Sequence, residues 1–162
     1  FTYRAPPLIE RLVGRRPLPS MTVPYARLCF AWLGALVLTR GTVALDDFTP
    51  GRLADPDLFR LAERIFVEAD DNPDPAAFVP AVGTATLKDG TVLHTHVERQ
   101  FGSPEWPLSR KQHLAKAHAC LAFGGTPGID AALAGCIDHF AAQADAAAAL
   151  TAVLESDAAT AR

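Results

Sequence analysis

The chain has 162 residues and a formal net charge of −3, with 49 % hydrophobic and 20 % charged residues. That length buries about 70 % of the unfolded surface, enough for one core with a small appendage, and the composition matches an ordinary soluble domain. The acidic balance gives no basic field, and the densest cationic patch, Arg4, Arg11, Arg15 and Arg16, is short and carries no aromatic ladder, which excludes nucleic acid as the expected partner.

Residues 1–19 read as a connecting segment. Pro6, Pro7, Pro17 and Pro19 bracket one helical turn, Leu8-Ile9-Glu10-Arg11-Leu12-Val13, with Gly14 as its stop. Ser20 and Thr22 then precede Pro24 and Tyr25. Hydroxyls that accept from first-turn amides, followed by a proline that gives up no needed donor, mark a helix N-terminus. From Leu28 to Leu38 the run is apolar on every side, which predicts a nearly enclosed helix ending at Arg40-Gly41. It is too short to span a bilayer, which takes about 20 apolar residues, so no membrane partner is expected. Tyr25 stands on the first turn, where its ring packs and its phenol reaches outward; it is the residue expected to touch a substrate.

Asp55-Pro56 opens a short helix carrying Leu58, Phe59, Leu61 and Ala62. Ile65-Phe66-Val67-Glu68-Ala69 reads as a strand. The carboxylates of Asp70 to Pro75 lack the glycine and distal Glu of a calcium loop, so that stretch reads as a solvated turn. Residues 83–87 and 91–99 form a hairpin around Asp89-Gly90. Alternation places Leu93, Thr95 and Val97 on one face and Val92, His94, His96 and Glu98 on the other. At about 3.3 Å per residue, His94 and Glu98 are too far apart to share an ion. No third ligand stands beside His94 and His96, so no metal is expected.

Ser109 with Gln112 forms a capping box for a helix that carries Leu114 and Leu121, with Lys116 outward. His113, His118 and His139 are read as surface residues. Gly124 to Gly128 breaks the chain but has no P-loop lysine. A stripe of Ile129, Leu133, Ile137 and Phe140 follows, and an alanine-rich final helix is expected to fray after Ser156. Cys29, Cys120 and Cys136 are odd in number, without metal-like spacing, and lie in apolar helical patterns. They read as reduced core thiols of a cytoplasmic protein. No signal peptide is evident, and because the first residue is Phe1, the sequence is expected to start inside a longer gene product.

Several stretches come together in order: Pro24-Tyr25-Ala26 opening an apolar helix, Asp47-Phe48-Thr49-Pro50, Arg52-Leu53-Ala54-Asp55-Pro56, Leu87-Lys88-Asp89-Gly90, Gly102-Ser103-Pro104-Glu105, Pro107-Leu108-Ser109 and Lys116. In that order and spacing the chain resembles the C-terminal portion of the MmgE/PrpD family, which contains 2-methylcitrate dehydratase, cis-aconitate decarboxylase and iminodisuccinate epimerase. The resemblance covers residues 10 to 122 well and the last helices loosely. It implies an α+β fold, a small antiparallel sheet with flanking helices, followed by C-terminal helices. The division expected is a connecting segment over 1–19, a lid-type domain over 20–124, and helices over 125–162 that return to a helical domain outside this sequence.

The resemblance also implies a lyase that acts on small di- or tricarboxylates as a homodimer, without metal or organic cofactor. One family site residue maps onto this chain, at Tyr25. Just before it the family often has a basic residue, an aromatic or His, and Ser, where this chain has Ser20, Met21 and Thr22, so the expected cation is missing. A free tyrosine titrates near pH ~10, which suits Tyr25 as a proton donor or hydrogen-bonding orienter rather than a free base. Without a helical N-terminal domain or a separate helical subunit the chain is expected to be inactive. The rival expectation is a non-catalytic assembly subunit or truncated relic, or a relative with isomerase, epimerase or decarboxylase activity.

Overall fold

The computed structural model describes residues 1–160, with side chains to Glu155. Close contacts divide it into two compact units, Phe1–Pro107 and Leu108–Arg162.

The larger unit is built on a four-stranded sheet in the order β2-β1-β3-β4, with β1 at Thr2–Ala5, β2 at Phe66–Ala69, β3 at Ala81–Thr86 and β4 at Val92–Val97. β1 pairs parallel with β2 and antiparallel with β3, and β3 pairs antiparallel with β4. The α+β architecture is therefore as expected, with helices at the C-terminus, but the sheet is mixed rather than wholly antiparallel. The first residues are also no connecting segment. Thr2–Ala5 is an inner strand held from both sides, and the turn expected around Leu8 to Val13 is a helix, α1, at Pro7–Val13, with Gly14 as its C-cap.

The hairpin forms where Asp89-Gly90 places it. Gly90 takes φ 87°, a left-handed conformation that glycine adopts without strain. The Leu87 amide donates to the Thr91 carbonyl at 2.8 Å, and the Gly90 amide to the Leu87 carbonyl at 3.1 Å, a three-residue loop closed by an αL glycine. The Asp89 carboxylate accepts from the Thr91 amide at 2.9 Å, and that bond holds its pKa below the usual carboxylate range.

The apolar run after Pro24 is two helices rather than one: α2 at Val23–Arg27 and α3 at Phe30–Arg40. The break falls at Leu28-Cys29, where Cys29 bridges Gly14 in the sheet-like manner and its thiol donates to the Arg15 carbonyl at 3.3 Å. Gly41, at φ 77°, stops α3 in the left-handed conformation expected of a terminal glycine. α3 buries Ala31, Trp32, Ala35 and Leu36. They pack with Leu58 and Ala62 of α5 (Pro56–Ala62), Leu53 of α4 (Pro50–Leu53), Ile65, Met21, Ala26 and Cys29. Gly34 allows this: a Cβ there would stand 3.1 Å from the Ile65 methyl. The helix is not enclosed as its sequence predicts, since Leu28, Val37 and Leu38 are exposed.

In the smaller unit, Ser109 and Gln112 make the expected capping box at the start of α6 (Arg110–Phe123). α7 (Asp130–Asp138) packs against α6 and against α8 (Ala146–Thr160). Ile129 at the head of the expected stripe is buried, whereas Ile137 and Phe140 at its tail are exposed. Helix continues to Thr160, past the fraying expected after Ser156; the side chains there lie outside the described residues. No helix among the described residues is long and apolar enough to cross a membrane.

Candidate active site

Thr22 caps α2, its hydroxyl accepting from the Tyr25 amide at 3.4 Å, and Pro24 lies in the first turn where its missing donor costs nothing. This local chemistry fixes Tyr25 one residue beyond Pro24. The ring is half-buried, packing on the edge of the hydrophobic core. Its phenol donates to the Arg16 carbonyl at 2.8 Å, a partner nine residues upstream. The phenol oxygen retains acceptor capacity.

Two arginines flank this tyrosine and have different tasks. Arg16 donates to the carbonyls of Ile65 at 2.8 Å and Glu63 at 2.6 Å, and its guanidinium lies over the Phe66 ring at 4.3 Å. Its side chain clamps the chain leaving α5 while its own backbone carbonyl accepts from Tyr25. Arg15 lies with its guanidinium 5.1 Å from the Tyr25 ring centroid and makes one hydrogen bond, to the Leu12 carbonyl at 3.3 Å. Sequence reasoning placed both in a short cationic patch and gave neither a connection to Tyr25. The pairing depends on the α1-to-α2 connection folding back along the helix, which no local spacing reveals.

A groove of about 310 Å³ runs beside the start of α2, lined by Ser20, Met21, Thr22, Pro50 and Leu53 among others. Tyr25 is not among its lining residues. Ser20 thus lines a groove of mixed polar and apolar character.

The remaining candidates are dispersed. His94 Nδ1 is 3.1 Å from Thr84 Oγ1, His118 Nδ1 is 3.2 Å from an Asp130 oxygen, and His139 Nδ1 is 2.9 Å from the Gly135 carbonyl. Among the described residues, no three His, Cys, Asp or Glu side chains are grouped to hold a metal ion. In the Asp70 to Pro75 loop, Asp70, Asn72 and Asp74 each accept from the amide two residues on, at 2.9 to 3.0 Å. Those side chains build successive Asx turns.

The cysteines also differ in setting. Cys29 is buried, Cys136 half-buried and Cys120 exposed. Burial pushes the Cys29 thiol up, outweighing the backbone amides of Trp32 and Ala31 and the charges of Arg15 and Arg16, which pull it down. Since the thiolate is the reactive form, an aromatic disulfide reagent at neutral pH is expected to label Cys120 first and Cys29 only after denaturation. Peptide mapping by mass spectrometry checks the order; early labelling at Cys29 would contradict its burial.

A mixed four-stranded sheet with a helical layer, and a half-buried tyrosine opening that layer, defines an α+β domain. A family model of the MmgE/PrpD C-terminal domain matches residues 2–133, and the chain belongs to that family. No curated protein matches it.

Proposed function

We propose that this chain is the lid-type portion of an MmgE/PrpD lyase acting on small di- or tricarboxylates, in the manner of 2-methylcitrate dehydratase, and that Tyr25 is its contribution to the catalytic groups. The family membership over residues 2–133 carries the proposal. Dehydration of such a substrate removes a proton beside a carboxylate-bearing carbon and expels hydroxide as water, so it needs a base, an acid and donors that stabilise the developing charge. The phenol of Tyr25 suits the acid or the orienting donor. Its present acceptor is a neutral backbone carbonyl. Exchanging that for a substrate oxygen gives a charge-assisted bond of greater strength. The base and the remaining donors would come from a helical domain or helical subunit, without which the chain is inactive.

The test is Tyr25→Phe in the assembled enzyme, with turnover followed by the absorbance of the alkene product. Turnover falls roughly tenfold or more, on the scale of acid–base groups. The lost bond to the Arg16 carbonyl lowers stability by only about 1 kcal/mol. Unchanged turnover removes Tyr25 from the site. Decarboxylase or epimerase activity on related carboxylates is the alternative within the family, separated by assaying carbon dioxide release and substrate stereochemistry.

A second reading, a non-catalytic assembly subunit, draws on the apolar groove of about 370 Å³ lined by Phe1, Phe30, Leu33, Val37, Leu38 and Ile65. It predicts a stable complex with a helical protein whose turnover is indifferent to Tyr25→Phe.

A further inference from the structure

The segment between α1 and α2 is pinned by its backbone and leaves one charged head free. Gly14 closes α1 with its amide on the Glu10 carbonyl at 2.8 Å, and a Cβ there would collide with that carbonyl. Gly14 then bridges Cys29. The next two carbonyls are both taken by side chains across the fold, that of Arg15 by the Cys29 thiol at 3.3 Å and that of Arg16 by the Tyr25 phenol at 2.8 Å. Three consecutive residues are therefore held against α2 and the start of α3, which fixes the Arg15 backbone near Tyr25.

The Arg15 side chain is engaged far less. It is half-buried, its guanidinium lies over the Tyr25 ring at 5.1 Å from the centroid, and its one hydrogen bond, to the Leu12 carbonyl, is long at 3.3 Å. Among the described residues no carboxylate stands within ion-pair distance of it, whereas Arg40, Arg60 and Arg110 each face an aspartate. Arg16 commits its guanidinium to two carbonyls. The charge of Arg15 acts locally all the same, since Arg15 and Arg16 both favour the thiolate of Cys29. A guanidinium presents a planar fork of donors matched to the two oxygens of a carboxylate, and that of Arg15 has most of its donors unoccupied.

We infer that Arg15 is the residue of this chain that grips a carboxylate group of the substrate, while the Tyr25 phenol meets a second oxygen of the same molecule. The inference rests on the lyase reading above and adds to it a carboxylate subsite. The phenol oxygen lies one ring radius and one C–O bond from the centroid over which the guanidinium stands, so both groups fall within the span of one small di- or tricarboxylate. The pinned backbone and the stacking on the ring hold the pair in place before the substrate arrives. A guanidinium stays ionised throughout the working pH range, so the grip needs no proton transfer. It serves substrate and transition state alike, and therefore shows in affinity rather than in turnover.

Arg15→Met keeps the aliphatic stem over the Tyr25 ring, so the assembled enzyme is expected to retain its far-ultraviolet spectrum. Its affinity for tricarballylate, an inert tricarboxylate with no hydroxyl to lose, is expected to fall about tenfold or more by calorimetry. Arg15→Lys, a point charge without the fork, lies between the two. Arg11→Met, on an exposed position of α1, leaves the affinity unchanged. Tricarballylate also shields Arg15, but not Arg11, from phenylglyoxal, as peptide mapping reads. Unchanged binding in Arg15→Met overturns the inference whatever Tyr25→Phe does to turnover, and so does labelling of Arg15 that is indifferent to tricarballylate. A lower urea midpoint with full affinity would make Arg15 a stacking support alone, and overturns it too. Weakened binding in Arg15→Met beside unchanged turnover in Tyr25→Phe upholds the carboxylate grip and removes the catalytic reading of the tyrosine.

Discussion

Trp32→Ala is expected to lower the unfolding free energy by about 3–5 kcal/mol, a large share of the roughly 5–15 kcal/mol that holds a domain of this size. Trp32 has no exposed surface and is the largest of the fully buried side chains. Among the residues that α3 buries with it, Ala31 and Ala35 are too short to move into the space an indole leaves, so much of the cavity stays open. One atom offsets part of what the ring contributes. The indole Nε1 is buried without a hydrogen-bond partner, and an orphaned donor costs about 1–3 kcal/mol. Trp32→Phe removes that donor while keeping an aromatic ring, so its loss is expected to be small, about 1–2 kcal/mol. Urea unfolding followed by circular dichroism gives both values. The second tryptophan, Trp106, is half exposed, so the Phe variant also isolates its fluorescence. Equal losses for Ala and Phe would mean that the indole N–H has a partner and that the ring is held by it.

The parts of this fold that were readable in advance are those that a few adjacent residues dictate. Asp89-Gly90 dictates a hairpin because tight hairpin loops need a left-handed residue, which glycine supplies without strain. Ser109 with Gln112, and Asp55 before Pro56, each satisfy orphan amides within one turn. Strand β1 was not readable: four residues before a Pro-Pro pair carry no useful alternation, and their conformation is set by β2 and β3, far along the chain. The same holds for the break between α2 and α3. Leu28 and Cys29 contain no helix breaker, and the interruption comes from Gly14 and the Arg15 carbonyl reaching Cys29 across the fold. At the candidate site the position of Tyr25 follows from Thr22 and Pro24. Its hydroxyl partner and its Arg15 neighbour do not, because both arrive from a segment that reads as a linker.

Separating Asp47 from Arg40 is the second large effect expected. Asp47 is the one buried charged residue among the described residues. It sits in the 3₁₀ turn Leu45–Phe48, where Oδ2 accepts from the Ala44 amide at 2.7 Å and Oδ1 is ion-paired with Arg40. Arg40 is the last residue of α3, so the pair ties the end of the central helix to the chain that returns toward α4. The two sides are unequal: Asp47 is fully enclosed, whereas the Arg40 side chain remains 36 % exposed. Arg40→Met, which keeps the aliphatic stem, leaves a buried carboxylate with no countercharge and is expected to cost about 3 kcal/mol or more. Asp47→Asn retains an acceptor for the Ala44 amide and strands only a guanidinium that water can reach, so its cost is smaller, about 1–2 kcal/mol. Because each single change leaves the other partner behind, the double variant is expected to be more stable than Arg40→Met alone, a coupling that a double-mutant cycle isolates. Urea midpoints of the four proteins decide it. Additive losses would place Arg40 and Asp47 in separate roles and remove the tie between α3 and the turn that follows it.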